Sequence, residues 1–259
     1  METLSNTISN TIKNQTELPK CPFCGKSYIW FIKEINFGNT KKTLKVPVKD
    51  CNCDELREQE AKIKRQEQYK ANKLEALFDN SMMTPLFKEK TFNNLNPTQE
   101  LNKCKEYVKE FNPRISKGIQ MIGKIGTGKT TLLAAICNEL LKEGYKCLFT
   151  TFSDLLDKFS EYSYQNAGNI KSLLNWLTEF DFIVLDDIGR EAYTDIRKEL
   201  AFRIIDTILN YKVVVAFTAN PEMLLKLKKI NELDAMIDRL KEICPIKFVF
   251  NGESLRGKA

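Results

Sequence analysis

The chain has 259 residues, of which 42% are apolar and 29% charged, and it carries a net charge of +6. This length and composition fit one α/β domain plus a small extra module. The mildly basic net charge is compatible with binding to nucleic acid but does not require it. The sequence contains no histidine, no apolar run long enough to cross a bilayer and no signal-peptide pattern, so we expect a cytoplasmic protein that does not use a membrane.

The N-terminal part predicts a small zinc module. Residues 1–17 are expected to form a disordered lead, and residues 18–53 hold two strand-like pieces, "SYIWFI" and "TLKVPV". The segments "CPFCGKSY" and "DCNCDE" supply four thiols, Cys21, Cys24, Cys51 and Cys53. Four thiolates suit a structural Zn²⁺ with no open position. A redox CxxC motif is the competing interpretation, but it leaves the second pair of cysteines unexplained.

The middle of the chain predicts a helical linker. Residues 54–97 open with a run dense in charge and helix formers, which "DNSMMTPLFKEKTFNNLNPT" then interrupts. From residue 98 to 259, strand-like and helical segments alternate, which favours a parallel sheet flanked by helices. The predicted strands are 118–123, 145–151, 181–186, 212–218 and 246–250, and the predicted helices lie near 98–111, 129–142, 153–161, 168–178, 193–210, 221–228 and 231–241.

The segment "MIGKIGTGKTTLL" carries a phosphate-binding loop. It fits G-x-x-x-x-G-K-[ST] at every fixed position, after a predicted strand and before an amphipathic helix. In such loops the backbone N–H groups converge on phosphate oxygens, the lysine reaches the β- and γ-phosphates, and the hydroxyl joins the Mg²⁺ shell. The predicted ligands of ATP and Mg²⁺ are Gly123, Gly126, Thr127, Gly128, Lys129, Thr130 and Thr131.

The segment "FDFIVLDDIGRE" ends an apolar strand in two adjacent carboxylates. Ligands of parallel sheets lie at this end of the strands. We therefore predict that Asp186 holds Mg²⁺ and that Asp187 polarises the attacking water. The alternative is that both acids only cap the strand.

The order of the strands narrows the class of ATPase. A further strand separates the loop strand from the acidic strand along the chain, as in the branch that includes AAA+ and RecA-like proteins. The next strand ends in "FTAN", where Asn220 could orient water or touch the γ-phosphate. Alternatively, Asn220 only caps the helix that begins at Pro221.

Taken together, the phosphate loop, "VLDDIGRE", "FTAN", "MIDRLKE" and "ESLRGKA" resemble the DnaC/DnaI-type helicase loaders, whose relatives include the IstB transposition ATPases. The resemblance implies ATP-dependent loading of the replicative helicase onto single-stranded DNA, with the front module binding the helicase. The alternative for the front module is that it binds nucleic acid itself through its lysines. The resemblance also implies that Arg239 is an arginine finger that acts in the ATP site of a neighbouring subunit. The protein would therefore form a homo-oligomer. Finally, the resemblance implies that Arg256 lies near the phosphates. For Arg239, an ion pair within its own helix is the alternative.

The insertion after the second strand of the ATPase part is the candidate DNA contact. In similar proteins such an insertion faces single-stranded DNA, and the stacking and cationic groups here are Lys158, Tyr162, Tyr164 and Lys171. Helical spacing of the apolar residues also predicts a core, formed by Leu155, Leu156, Phe159, Leu173, Leu174 and Trp176.

Two departures from the resembled pattern bear on activity. Nine residues follow the last predicted strand, which leaves no room for a C-terminal helical lid, and the acid pair is Asp-Asp rather than Asp-Glu. Because aspartate reaches less far, we expect slow, switch-like ATP hydrolysis. Two rival functions remain: an IstB-like helper of transposition, acting on double-stranded DNA with a transposase, and a small-molecule P-loop kinase.

Overall fold

The structure is a computed structural model that describes residues 18–37, 40–166, 169–252 and Ser254. It divides into two units, the first extending to Lys70 and the second beginning at Ala71. The predicted lead at 1–17 and Arg256 lie outside the described residues. Those two expectations and the domain boundaries proposed from sequence therefore stay predictions.

The first unit is built on a hairpin of two antiparallel strands, β1 (Ile29–Phe37) and β2 (Thr40–Val48). Ile29 pairs with Val48 and Phe31 with Val46, so these apolar side chains lie on one face of the hairpin. The strands extend beyond the pieces that the sequence pattern predicted, because polar and charged residues such as Glu34, Lys41 and Lys42 interrupt the apolar pattern in their distal halves. Ahead of β1, Lys20 and Ser27 form an isolated bridge that closes the turn of the first cysteine pair.

A helix of 28 residues, α1 (Cys53–Asn80), begins in the first unit and ends in the second. None of its residues is fully buried, as its charge density predicted. Near its end, Leu77 and Phe78 are partly buried and pack against the core of the second unit.

The second unit contains a five-stranded parallel sheet with the order β4-β5-β6-β3-β7. Its strands are β3 (Ile119–Gly123), β4 (Cys147–Thr151), β5 (Phe182–Ile188), β6 (Val214–Ala219) and β7 (Ile246–Phe250). The remaining helices are α2 (Pro85–Lys88), α3 (Gln99–Lys109), α4 (Lys129–Lys142), α5 (Phe152–Gln165), α6 (Lys171–Leu177), α7 (Asp195–Tyr211), α8 (Pro221–Lys228) and α9 (Asn231–Ile243), with a 3-10 turn at Phe92–Asn94.

Both faces of this sheet are covered, which explains why its strands read as continuous apolar runs. In β5, Phe182 and Val184 face the layer of α3 and α4, whereas Ile183 and Leu185 face the layer of α5 to α9. The sheet thereby holds the carboxyl ends of β3, β5 and β6 at one edge, where the predicted site residues follow the strands.

The predicted fold class is confirmed. Strand β6 lies between the loop strand β3 and the acidic strand β5, the arrangement expected for the AAA+ branch. Beyond β7, the described residues form neither helix nor strand. None of the helices in the described part of the chain is long and apolar enough to span a bilayer.

The stretch 81–97, which the sequence placed in the linker, is part of the second unit. Met83 and Phe92 are buried in its core. The Asn138 side chain, on α4, donates hydrogen bonds to the carbonyls of Phe87 (2.8 Å) and Lys90 (2.6 Å). This stretch therefore belongs to the wall around the phosphate loop.

Candidate functional site

The phosphate loop joins β3 to α4. Gly126 and Gly128 have φ angles of 82° and 89°, in the left-handed region that favours glycine. A Cβ placed on Gly126 would lie 2.1 Å from Oγ of Ser254, so the segment after β7 packs directly against the loop. Glycine at position 126 is thus required both by the turn and by this close approach.

Lys129 is the first residue of α4 and its side chain is buried. Its ammonium donates to the carbonyls of Gly123 (2.9 Å) and Lys124 (2.7 Å). The Thr127 hydroxyl also donates to the Lys124 carbonyl, at 2.9 Å. These bonds hold a positive charge at the N-terminus of a helix, where phosphate groups are favoured.

The carboxylate of Asp186 is buried at the end of β5. It accepts hydrogen bonds from the hydroxyls of Thr130 (2.9 Å) and Thr218 (2.6 Å). Burial raises its pKa, and the hydrogen bonds from the two threonines act in the opposite direction. A carboxylate beside a threonine hydroxyl is a donor set that suits Mg²⁺, which prefers oxygen ligands.

Asp187 has a φ angle of 62°, an uncommon left-handed conformation for a residue with a side chain. Its backbone N–H donates to the Thr218 hydroxyl at 2.8 Å, and its carboxylate forms an ion pair with Arg190 at 2.7 Å. Thr218 and Arg190 were not predicted as site residues. A polar residue within the apolar strand "VVVAFTA" was the available signal for Thr218, and a cation three residues after Asp187 was the signal for Arg190.

A cavity of about 570 Å³ opens beside the loop, a size within the range of small-molecule sites. It is lined by Gly126–Leu132, by Asp186 and Asp187, by Phe250 and, from the stretch before β3, by Leu86, Phe87, Asn94, Leu95, Asn96, Thr98 and Leu101. Gly123 lies at the base of the loop, where β7 passes against it. The contribution of residues 86–96 was not predicted, because short turns leave no periodic pattern.

Asn220 and Arg239 do not line this cavity. The Asn220 side chain accepts the N–H of Glu222 at 3.0 Å and caps α8, the alternative left open by the sequence. Arg239 forms an ion pair with Asp206 of α7 and stands over the Phe202 ring, 5.8 Å from its centroid. Its partner thus lies on another helix, not on its own.

A second, shallower cavity of about 460 Å³ lies between α5, α6 and the end of α1. We name it the insertion groove, lined by Asp79, Asn80, Met82, Lys158, Tyr162, Ser172, Leu173 and Trp176. The Lys158 ammonium stands 5.3 Å from the centroid of the Trp176 ring. Tyr164 is 92% exposed and lies outside the groove.

Lys171 is also exposed and outside the groove. The structure therefore brings together two of the four predicted DNA contacts and adds Trp176, which the sequence assigned to the core. Of the predicted core residues, Leu155, Leu156, Phe159 and Leu173 are buried, while Leu174 and Trp176 are only partly so.

The four cysteines of the first unit form a compact cluster. Their Sγ atoms all lie within 4.8 Å of one another, close to the spacing of about 3.8 Å that Zn–S bonds of about 2.3 Å impose in a tetrahedron. Hydrogen bonds from the backbone N–H groups of Cys24 and Phe23 lower the pKa of the Cys21 thiol to about 6. The cluster therefore fits a metal ion with four sulfur ligands, and Zn²⁺ would supply structural cohesion to a hairpin that has little core.

The sheet order, the phosphate loop on β3 and the acid at the end of β5 define a P-loop ATPase of the AAA+ type. The family model of the IstB-like ATP binding protein matches residues 65–259. The chain belongs to this family.

A relative among well-described proteins is the replicative helicase loader DnaC of Escherichia coli K12. It is 31% identical over 195 residues, which are 73% of this chain and 78% of the relative. Among solved structures, the DnaC helicase loader superposes with a TM-score of 0.56 at 22% identity, over 65% of this chain and 100% of that one. DnaI follows with a TM-score of 0.53 at 20% identity, over 68% and 95%. These two structures support the fold.

Proposed function

We propose that this protein is an ATP-dependent loader of the replicative helicase onto single-stranded DNA. The observation that carries the proposal is the 31% identity to a helicase loader over 195 residues, which are 73% of this chain. The proposal includes a Zn²⁺ ion bound by the four cysteines of the first unit. It also includes the cytoplasm as the location of the protein.

In this proposal ATP is held by the phosphate loop from Gly123 to Thr131. Lys129 neutralises the β- and γ-phosphates, and the Thr130 hydroxyl and Asp186 hold Mg²⁺, which when bound would neutralise phosphate charge. Residues 86–101 and Phe250 shield the rest of the nucleotide from water. The hydrogen bonds of Lys129 to two loop carbonyls support this assignment, since they place its ammonium at the base of the cavity.

We assign hydrolysis to Asp187 as the base that orients and polarises water, whereas Asn220 lies outside the cavity and caps α8. Asp187 is ion-paired with Arg190, and this contact competes with water for the Asp187 carboxylate. Together with the short reach of aspartate, this pairing supports slow turnover. ATP would then act as a timer for assembly and release.

The insertion groove is the proposed contact for single-stranded DNA. Lys158 and Trp176 offer a cation beside an aromatic face, and unpaired bases stack on such faces irrespective of sequence. Tyr162 extends the same wall, while Lys171 and Tyr164 are proposed contacts for DNA that continues beyond the groove.

The hairpin of the first unit is the proposed contact for the helicase. Ile29, Phe31 and Val46 are each more than a third exposed on one face of the hairpin. Exposed apolar patches of this kind mark protein-binding surfaces. The cysteine cluster with bound Zn²⁺ would hold the hairpin in shape.

Assembly is proposed to complete the ATP site. Arg239 is 40% exposed on α9 and does not reach the cavity of its own chain, which leaves it available to a neighbouring subunit. Arg256 is proposed to approach the phosphates from within the chain, supported by Ser254 packing against Gly126. A guanidinium suits both roles because it keeps its charge.

Fluorescence anisotropy tests the proposal with labelled single-stranded and double-stranded oligonucleotides, each with ATP and with ADP at fixed salt. A loader binds the single strand tightly with ATP, and Lys129→Ala abolishes the ATP effect. Lys142→Ala, an exposed lysine at the other end of α4, is the matched control.

An ATP-dependent preference for duplex would instead favour the transposition helper, the rival function that the resemblance to the IstB ATPases implies. No binding to either oligonucleotide, in any nucleotide state, would contradict DNA loading.

A further inference from the structure

Asn138 is a polar side chain buried in the middle of α4, where it is 1% exposed. Burying an amide is unfavourable unless it forms hydrogen bonds. Its Nδ2 donates to the carbonyls of Phe87 at 2.8 Å and Lys90 at 2.6 Å. Because both partners are acceptors, only the NH₂ end of the amide can face them. Its Oδ1 is buried without a hydrogen-bond partner among the described residues, so the bonds that offset the burial of Asn138 are the two that it donates.

These two carbonyls belong to a short irregular stretch, residues 85–96, which we name the cavity wall. It consists of the single-turn helix α2 and a 3-10 turn, so regular structure satisfies few of its backbone groups. Side chains supply donors instead: Asn94 binds the Glu89 carbonyl at 2.8 Å, and Asn138 binds the carbonyls on either side of it. Since buried backbone groups must be paired, the wall is held in the conformation that these two asparagines satisfy.

The cavity wall contacts the ATP cavity on both sides of the point where Asn138 holds it. The lining residues from the wall are Leu86, Phe87, Asn94, Leu95 and Asn96. The Phe87 ring also lies against Phe149 of β4, with the centroids 5.3 Å apart. Because the phosphate loop forms the opposite side of this cavity, the part of ATP that meets the wall is the nucleoside.

Helix α4 connects the two sides of the cavity. It begins at Lys129, in the phosphate loop, and Asn138 lies nine residues further along, which is about 13.5 Å along the helix axis. Most residues of α4 are buried in the core, so the helix cannot bend freely. A single rigid element therefore sets the distance between the loop and the wall. A site whose two sides are fixed before binding loses less entropy when the ligand binds.

We propose that Asn138 is a positioning residue for ATP, which holds the cavity wall against the nucleoside while the phosphate loop binds the phosphates. Asn138 does not itself line the cavity and acts through the backbone of the wall. The inference deepens the proposed function and rests on its ATP site. It requires neither DNA nor the helicase.

The test measures the affinity for ATP and for inorganic tripolyphosphate, both with Mg²⁺, by calorimetric titration, together with kcat and KM for ATP. Tripolyphosphate carries the phosphate chain of ATP without the nucleoside. Asn138→Leu keeps a side chain of similar size and removes both donors. It is expected to weaken ATP binding and raise KM by about fivefold or more, since each bond contributes to holding the wall. Affinity for tripolyphosphate and kcat at saturating ATP should stay within about twofold of wild type, because the loop is unchanged.

Two further variants of α4 separate positioning from general stability. Asn138→Gln keeps the NH₂ group on a longer side chain and is expected to recover part of the affinity for ATP. Ile136→Val is the matched control, because Ile136 is fully buried on the same helix and loses one methyl group without losing a hydrogen bond. It is expected to lower the Tm and to leave both affinities unchanged.

Leu86→Ala tests the wall directly should Asn138→Leu not fold. Leu86 is 62% exposed and lines the cavity, so its truncation should leave folding intact. We expect affinity for ATP to fall about threefold or more, because apolar contact with the nucleoside is lost, and affinity for tripolyphosphate to stay unchanged. Equal ATP affinity in wild type and Leu86→Ala would overturn contact between the wall and the nucleoside, and the role of Asn138 with it.

ATP bound equally well by wild type and Asn138→Leu would overturn the positioning role and leave the proposed function standing. Equal losses for ATP and tripolyphosphate would also overturn it, because Asn138 would then act on the phosphate loop or on the fold as a whole. A wild-type protein that binds neither ATP nor tripolyphosphate would overturn the proposed ATP site itself.

Discussion

A single threonine organises both acids of the ATP site. The Thr218 oxygen accepts from the N–H of Asp187 while its hydroxyl donates to Asp186. Because Thr218 is almost fully buried, water cannot replace either bond if the hydroxyl is removed. One side chain of β6 thereby fixes the backbone of the proposed catalytic base and the rotamer of the proposed Mg²⁺ ligand.

Thr218→Val keeps the shape of the side chain and removes both hydrogen bonds. Leaving buried groups unpaired costs about 1–3 kcal/mol, so we expect kcat for ATP to fall about tenfold or more while ATP binding changes little. Thr218→Ser, which keeps the hydroxyl, should retain most activity. Steady-state ATP turnover checks this, and equal rates for the valine variant and wild type would refute the role of Thr218.

Lys129→Ala removes the buried cation at the base of the ATP cavity. We expect the affinity for ATP to fall by at least about tenfold, since a charge-assisted bond is worth about 1.5–3 kcal/mol. Titration with a fluorescent ATP analogue measures the loss, and Lys142→Ala should bind as wild type does. If Lys129→Ala bound ATP normally, the cavity would not be the nucleotide site.

At the level of elements, periodicity and motifs predicted the sheet and its helices, because each buried strand and amphipathic helix carries a local signal. The phosphate loop, Asp186 and the fold class followed from the same local patterns. Helix α4 and helix α8 have the predicted bounds. The stretch 81–97 was missed since its role depends on long-range contacts, such as those of Asn138, that no periodicity encodes.

The insertion groove also depends on contacts between helices that periodicity in the sequence does not encode. Apolar spacing correctly identified Leu155 and Phe159 as core residues. It could not show that Trp176, at the edge of the same stripe, turns one face toward Lys158. Whether a partly apolar position is buried or lines a groove depends on the neighbouring helix.

Trp176→Ala tests the groove. Stacking of a base on an aromatic ring is worth about 1–3 kcal/mol, so we expect affinity for single-stranded DNA to fall about fivefold or more, with ATP turnover without DNA unchanged. Trp30→Ala, in the first unit, is the control. Fluorescence anisotropy at fixed salt gives the affinities, and an undiminished affinity in Trp176→Ala would place the DNA elsewhere.

The cysteine cluster makes a quantitative prediction for the first unit. We expect about one Zn²⁺ per chain by atomic spectroscopy, lost when Cys21 and Cys24 are both changed to serine. The hairpin should then become sensitive to protease, because metal binding contributes its folding free energy, while ATP binding persists. Cys137→Ser, a buried cysteine of α4, should keep the metal. A metal-free wild type with a protease-resistant hairpin would contradict a structural zinc site.

At the scale of the whole molecule, the ATP site of one chain lacks an arginine from α9. Arg239 is instead held at the surface by Asp206 and Phe202. If this arginine acts in a neighbouring subunit, ATP hydrolysis requires that the subunits have assembled. Hydrolysis would then follow assembly, as the proposed control of assembly and release by ATP requires.

Mixing two inactive variants tests this arrangement. Arg239→Ala and Lys129→Ala should each hydrolyse ATP poorly, but their mixture should regain part of the activity, because an intact loop can meet an intact finger across subunits. Arg203→Ala is the control, because Arg203 is an exposed arginine of α7 that pairs with Glu199. This variant should hydrolyse ATP without a second variant. Mixed oligomers that form without any recovery would show that Arg239 does not act in trans.

The central claim is tested most directly by helicase loading. The replicative helicase from the same genome is incubated with single-stranded circular DNA and ATP, with or without this protein, and helicase bound to DNA is counted after gel filtration. We predict several-fold more bound helicase with the wild-type protein and none of this gain with Lys129→Ala. Equal helicase on the DNA with and without the wild-type protein would contradict the account.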